Sequence, residues 1–215
     1  MADSAAQRLL PEGWQIEAPT TGPSKGSNVS VVLLDQILAQ DAEGKPVDAV
    51  RGAALVIPAK KQGMEKAVAV SIGGLFSPAS YAPGPYSTYV YAKADMDKKV
   101  HSDPAGMTSV EETWSFTAES GDSVQVQVQY IRGVPVRANA EATVYSAVKP
   151  DFYRIYRFEQ ATDVVRSAVA GIDRAQKVSF KASGRQLTPL FDGSEQLISI
   201  TVNPWYSRQI FLPGS

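Results

Sequence analysis

The chain has no cysteine among its 215 residues and only one histidine. Without thiols there is no disulfide, no thiolate zinc site and no cysteine nucleophile. His101 alone cannot build a multi-histidine metal centre. Neither charge sign is in excess, with 21 Lys plus Arg against 22 Asp plus Glu, so there is no overall field to attract nucleic acid or an anionic membrane. No apolar run approaches the length that spans a bilayer as a helix. The start, Met1-Ala2-Asp3-Ser4-Ala5-Ala6, lacks the apolar core of a secretory signal, and the simplest expectation is a cytoplasmic protein. Neither the Walker spacing nor a Gly-x-Gly-x-x-Gly that opens a helix occurs, so no phosphate loop is expected.

What remains is 44% apolar residues, enough for an ordered domain with a sizeable core, read as one unit over 1–215. The patterning is that of strands. Val124, Val126, Val128 and Tyr130 alternate with Gln125, Gln127 and Gln129, the mark of an antiparallel sheet with one wet face. Glu119-Ser120-Gly121-Asp122 separates that run from Ser109 to Ala118 and signals a hairpin. Further strands are expected over Val29 to Ala39, Arg51 to Ala59, Ala67 to Phe76, Tyr86 to Lys93, Arg137 to Val148, Asp173 to Ser183, Glu195 to Val202 and Trp205 to Leu212. Gly73-Gly74 suggests a bulge. Helix is confined to a short piece near Ala5 to Leu10 and a turn at Leu187 to Phe191. The expected fold is mainly β, one antiparallel cone-like or barrel-like sheet, closed or nearly so, with a few short helices. In Arg137 to Val148 the small residues Ala138, Ala140 and Ala142 leave room inside such a sheet, or mark where a helix packs closely.

Two positions suggest chemistry. In Tyr86 to Lys93 the alternation puts Ser87, Tyr89, Tyr91 and Lys93 on one face. If that face points inward, Lys93 loses hydration and becomes a neutral nucleophile toward carbonyl carbon; if it ends an edge strand, Lys93 points to water. In the row Val29, Val31, Leu33, Asp35, Ile37 a carboxylate stands among apolar residues, either at an outward-turned end or as a buried acid that needs a cationic partner. Phe152, Tyr153, Tyr156 and Phe158, interleaved with Arg154 and Arg157, could stack bases, but the neutral net charge and the absence of an RNP-like motif speak against RNA.

Several segments resemble the acetoacetate decarboxylase family in order and spacing. Leu9-Leu10-Pro11-Glu12 resembles that family's Val-Pro-Glu-Pro opening, and Val56-Ile57-Pro58-Ala59 its Ala-Ile-Pro-Val strand. Tyr91-Ala92-Lys93-Ala94 stands where it has Tyr-Pro-Lys-Lys. Lys149-Pro150-Asp151-Phe152-Tyr153 is similar to its Arg-Pro-Asn-Tyr segment. Leu187 to Leu190, Leu197-Ile198-Ser199 and Ile210-Phe211-Leu212-Pro213 follow its closing succession. The resemblance implies a cone-like fold, self-association into homo-oligomers, and a Schiff-base lyase that needs no cofactor or metal and acts on a small oxo acid or related carbonyl compound.

Under it Lys93 forms the imine, Asp35 matches an acid on the first long strand, Arg51 would hold a substrate carboxylate, and Tyr89 or Tyr91 would donate a proton. Two departures stand out. Ala94 replaces the second lysine of the doublet, with Lys98-Lys99 as a less fitting alternative. The family's carboxylate-steering N-terminal arginine has no counterpart. Decarboxylation and aldolase or dehydratase chemistry both stay open, and the non-catalytic alternative is a β-barrel module that binds a small apolar ligand.

Overall fold

A computed structural model describes residues 1–212. After helix α1 (Asp3–Gln7) the chain forms β1 (Trp14–Ile16), β2 (Ser30–Gln36), β3 (Ala39–Gln40), β4 (Val50–Lys61), β5 (Val68–Ser77), β6 (Tyr89–Ser102), β7 (Thr108–Ala118), β8 (Ser123–Ile131), β9 (Val136–Ser146), β10 (Tyr153–Ser167), β11 (Ile172–Asp173), β12 (Ala175–Ser183) and β13 (Ser199–Phe211). They join in one mixed sheet along the path β12-β8-β7-β6-β5-β9-β10-β13-β3, with β4 on the other edge of β5 and β1 and β2 on β4. The sheet is mostly antiparallel but does not close, which corrects the expectation of a closed or nearly closed barrel. Among the described residues no helix is long and apolar enough to cross a membrane.

β5 is where the sheet forks. One edge pairs antiparallel with β4. The other is shared by two parallel partners, Ala69 to Ser71 with β9 and Gly74 to Phe76 with β6. Between them the register slips by one residue at Ile72, beside the glycine pair expected to mark a bulge. Glycine is required next to it because Phe76 lies flat on the backbone. A Cβ on Gly74 would sit 2.8 Å from the Phe76 ring, and one on Gly52, across on β4, would overlap the same ring.

The β7–β8 hairpin follows its pattern, with Val124, Val126 and Tyr130 buried and Gly121 in the turn at φ +86°. Three expectations are revised. β6 runs on past its expected end at Lys93, through Lys98, Lys99 and His101, because β7 pairs with it to Ser102 and places Glu112 opposite Lys98, with a 2.7 Å ion pair. The two expected C-terminal strands are a single β13, with Asn203-Pro204 taken up in a bulge against β10. Ala140 is exposed rather than inward, since β9 meets β5 only at its C-terminal end and its first half is a free edge.

Apolar residues pack on both faces of the β4–β5–β6 region. One face carries Ala53, Leu55, Leu75 and Ala92 against Trp114, Phe116 and Val126. The other carries Ala54, Phe76, Tyr86 and Tyr89 against Tyr156, with Phe158 and Ile210 alongside.

The open wings are tied by one polar clasp. Asp163 on β10 is 3% exposed and takes both guanidinium nitrogens of Arg174 and the Gly133 N–H at 2.8 Å. Arg174 also donates to the Ile131 carbonyl at the end of β8 and to that of Val164 on β10. Burial alone would raise the Asp163 pKa; the hydrogen bonds from Arg174 and Gly133 outweigh it and bring it below the ordinary value.

Candidate functional site

The fork of β5 gathers the phenols. The Ser71 hydroxyl, fully buried, lies 3.3 Å from Thr88 Oγ1 and donates to the Tyr89 oxygen at 3.4 Å. Ser146, at the end of β9, donates to the Tyr86 carbonyl at 2.6 Å and accepts the Val148 and Lys149 N–H groups. These two serines pin the Tyr86 to Tyr89 segment where β6 and β9 part. Tyr86 OH then donates to Tyr156 OH at 2.7 Å. Phe76 stacks on Tyr89 with ring centroids 4.0 Å apart, and Tyr81 lies 5.4 Å from Phe76. Burial, reinforced by neighbouring Tyr156, pushes the Tyr86 and Tyr89 pKa values far up, so both phenols are fully protonated at neutral pH.

Two arginines complete the cluster. On β10, alternation puts Arg154, Tyr156 and Phe158 on one face, and the β10–β13 register places Arg208 beside Phe158 and Ile210 beside Tyr156. Arg154 and Arg208 therefore flank Tyr156. Arg208 is only 8% exposed, its Cζ sits 5.0 Å from the Tyr156 ring centroid, and its Nε has no hydrogen-bond partner. The Arg154 Nε is likewise buried and unpartnered. Among the described residues neither guanidinium has a carboxylate within 4.0 Å, whereas the neighbouring Arg157 pairs with Glu141 at 2.9 Å and Arg137 pairs with Glu159. Burial and Tyr156 raise the Tyr81 pKa while Arg208 and Arg154 oppose the rise. Tyr206, whose hydroxyl is buried without a partner, is raised by burial against the opposing pull of Arg208.

Open space adjoins both arginines. A cleft of about 690 Å³ is lined by Arg208, Phe158, Ala140 and Leu38, among others. A shallower one of about 310 Å³ is lined by Arg154, Tyr81 and the Ala82 to Pro85 segment. Among the described residues no group of three or more His, Asp or Glu side chains comes together to hold a metal.

The two residues on which the sequence places the chemistry, Asp35 and Lys93, do not meet. Register carries Leu33 to Ala53, Leu75 and Val90, so Asp35 shares its face with Val90 and Ala92, whereas Lys93 shares the opposite face with Tyr89 and Tyr91. Asp35 and Lys93 thus leave opposite sides of the sheet. The expected grouping of Lys93 with the two tyrosines holds, with Tyr89 buried and Tyr91 half-buried, but Lys93 itself is exposed. The layer that covers Tyr89 ends before it. The desolvation that imine chemistry requires is absent from the single chain, which corrects the inward-facing reading. Asp35 finds its cation in Arg51, directly across β4, at 2.8 Å in a half-exposed ion pair. Arg51 is thereby engaged with Asp35 rather than free for a substrate carboxylate. His101 is exposed on the distal half of β6.

Arg208 and Tyr206 are absent from the sequence-derived candidates, although the signal that marks Asp35 marks them too. In the row Tyr206, Arg208, Ile210 a charge stands in an otherwise apolar alternation. Arg154 and Tyr156, which the sequence groups among possible base stackers, sit instead at the fork, Tyr156 buried and Arg154 partly exposed. Neither the family models nor the curated proteins with which the chain was compared include a match.

Proposed function

We propose that this chain binds a small molecule at the tyrosine–arginine cluster, as a β-rich binding module. The observation that carries this reading is a buried, carboxylate-free Arg208 among phenols, beside an open cleft whose wall Ala140 leaves low. Preformed aromatic walls with a few convergent polar groups are the usual composition of a small-molecule site. NMR titration with neutral aromatic fragments such as phenol and indole tests it. Saturable shifts of the Ala140 methyl and the Tyr81 ring are expected. Fragments that move neither, or that move only distant surface signals, would remove the binding site.

The second reading is a cofactor-independent Schiff-base lyase on a small oxo acid, in the manner of the acetoacetate decarboxylase family. It is favoured by the shared face of Tyr89, Tyr91 and Lys93, and it requires another surface, such as a second copy of the chain, to cover Lys93. Borohydride reduction in the presence of a panel of oxo acids, followed by mass mapping, separates the two readings. A reduced adduct confined to Lys93 supports the lyase. Equal labelling across the exposed lysines retires it.

A further inference from the structure

Burying a guanidinium without a counter-ion is costly, and a cation–π contact with one ring offsets only part of that cost. The fold places two guanidiniums without a carboxylate partner on one face, on either side of Tyr156: Arg208 is buried and Arg154 partly exposed, and the Nε of each is buried and unused. The carboxylates nearest along the strands are taken: Glu141 by Arg157, Glu159 by Arg137, and Asp35 by Arg51. Around the arginines stand phenols that stay protonated: Tyr206, whose hydroxyl has no partner, and Tyr81, which feels both arginines, can donate, whereas Tyr86 gives its proton to Tyr156. Two guanidiniums without a carboxylate partner and two neighbouring hydroxyl donors are the complement of an oxyanion that carries two negative charges. A carboxylate monoanion would leave one guanidinium unmatched.

We propose that Arg154 and Arg208 form a binding site for a dianionic oxyanion, inorganic phosphate or the phosphate of a monoester, with Tyr81 as a hydroxyl donor between them. This rests on the small-molecule reading above and names the ligand class for the same cluster. Guanidinium forks bind such oxygens through paired, charge-assisted hydrogen bonds, and Nε is one arm of that fork. The cleft beside Arg208, where Phe158, Ala140 and Leu38 stand among polar residues that include the ion-paired Glu141 and Glu159, has room for the body of an ester.

The arginine Nε–H signals read the site directly by NMR in the intact chain. Titration with inorganic phosphate, at ionic strength matched with chloride, is expected to shift the Arg154 and Arg208 Nε–H resonances saturably while chloride does not. Arg154→Gln and Arg208→Gln are each expected to weaken phosphate about tenfold or more. The comparison of phosphate with chloride on the unaltered protein stands even if Arg208→Gln fails to fold. Phenyl phosphate that binds more tightly than phosphate would identify the monoester as the source, and equal affinity would identify the free ion; either result supports the site. Phosphate shifts confined to exposed arginines such as Arg51 and Arg137, or benzoate binding as tightly as phosphate, would overturn it. If phosphate fails while neutral fragments still move the Ala140 methyl, the dianion assignment falls and the binding module stands. If both fail, both readings fall.

Discussion

Replacing Asp163 by alanine is expected to lower the stability of the fold by about 3 kcal/mol. Removal of one member of a buried ion pair strands the other, a loss of roughly 3–5 kcal/mol when the stranded charge is sealed from water. Arg174 is 29% exposed and keeps its bonds to the Ile131 and Val164 carbonyls, which places the loss at the lower end. The Gly133 N–H also loses its acceptor. Urea unfolding of the variant against the parent measures this, and a change under about 1 kcal/mol would mean that the clasp does not hold the wings. The pH dependence has a fixed sign. Because the folded-state pKa of Asp163 lies below the unfolded value of about 3.9, its contribution is complete above that value. It is lost progressively as the pH falls from there through the depressed folded value. Acid should therefore narrow the gap between parent and Asp163→Ala.

The second large effect is expected at Phe76. Its ring is 1% exposed, stacks on Tyr89 and fills the space left by the missing side chains of Gly52 and Gly74. Phe76→Ala should cost about 3–5 kcal/mol, through lost burial and the void that remains. Gly52→Ala is harmful in the parent, where the new methyl overlaps the ring, and should recover part of the loss in the Phe76→Ala background, where it enters the void. A double-mutant cycle on chemical denaturation decides this. Strict additivity would show that Gly52 is not there to admit the ring. Because Tyr89 and Tyr81 both rest on Phe76, the same variant should loosen the tyrosine cluster and weaken fragment binding.

Local pattern carries the hairpins and the faces. The Val and Gln alternation of β8, the Gly121 turn and the shared face of Tyr89, Tyr91 and Lys93 are all properties of one or two neighbouring segments. Where a face is covered is another matter. Tyr89 is buried by Tyr156, far along the chain, while Lys93, only four residues on, reaches water because that cover stops. Alternation gives the side of a sheet but not the extent of the layer above it. Asp35 shows the same limit. A carboxylate in an apolar row requires a cation, and Arg51 supplies it through a strand register that only the folded sheet defines. Arg208 was legible in kind, as a charge in an apolar row, but its lack of a partner depends on which acids the register assigns to Arg157 and Arg137.

The shared edge of β5 sets an order on how the molecule can assemble. Its two parallel partners are far apart in the chain: Gly74 meets Tyr89 across a short loop, but Ala69 must find Val144. Closing the longer loop spends chain entropy before any contact repays it. The β6–β7–β8 wing can therefore dock on β5 from nearby sequence, whereas the β9–β10–β13 wing, which brings Tyr156, Arg154 and Arg208, is expected to join later, so that the tyrosine–arginine cluster would be completed late in folding.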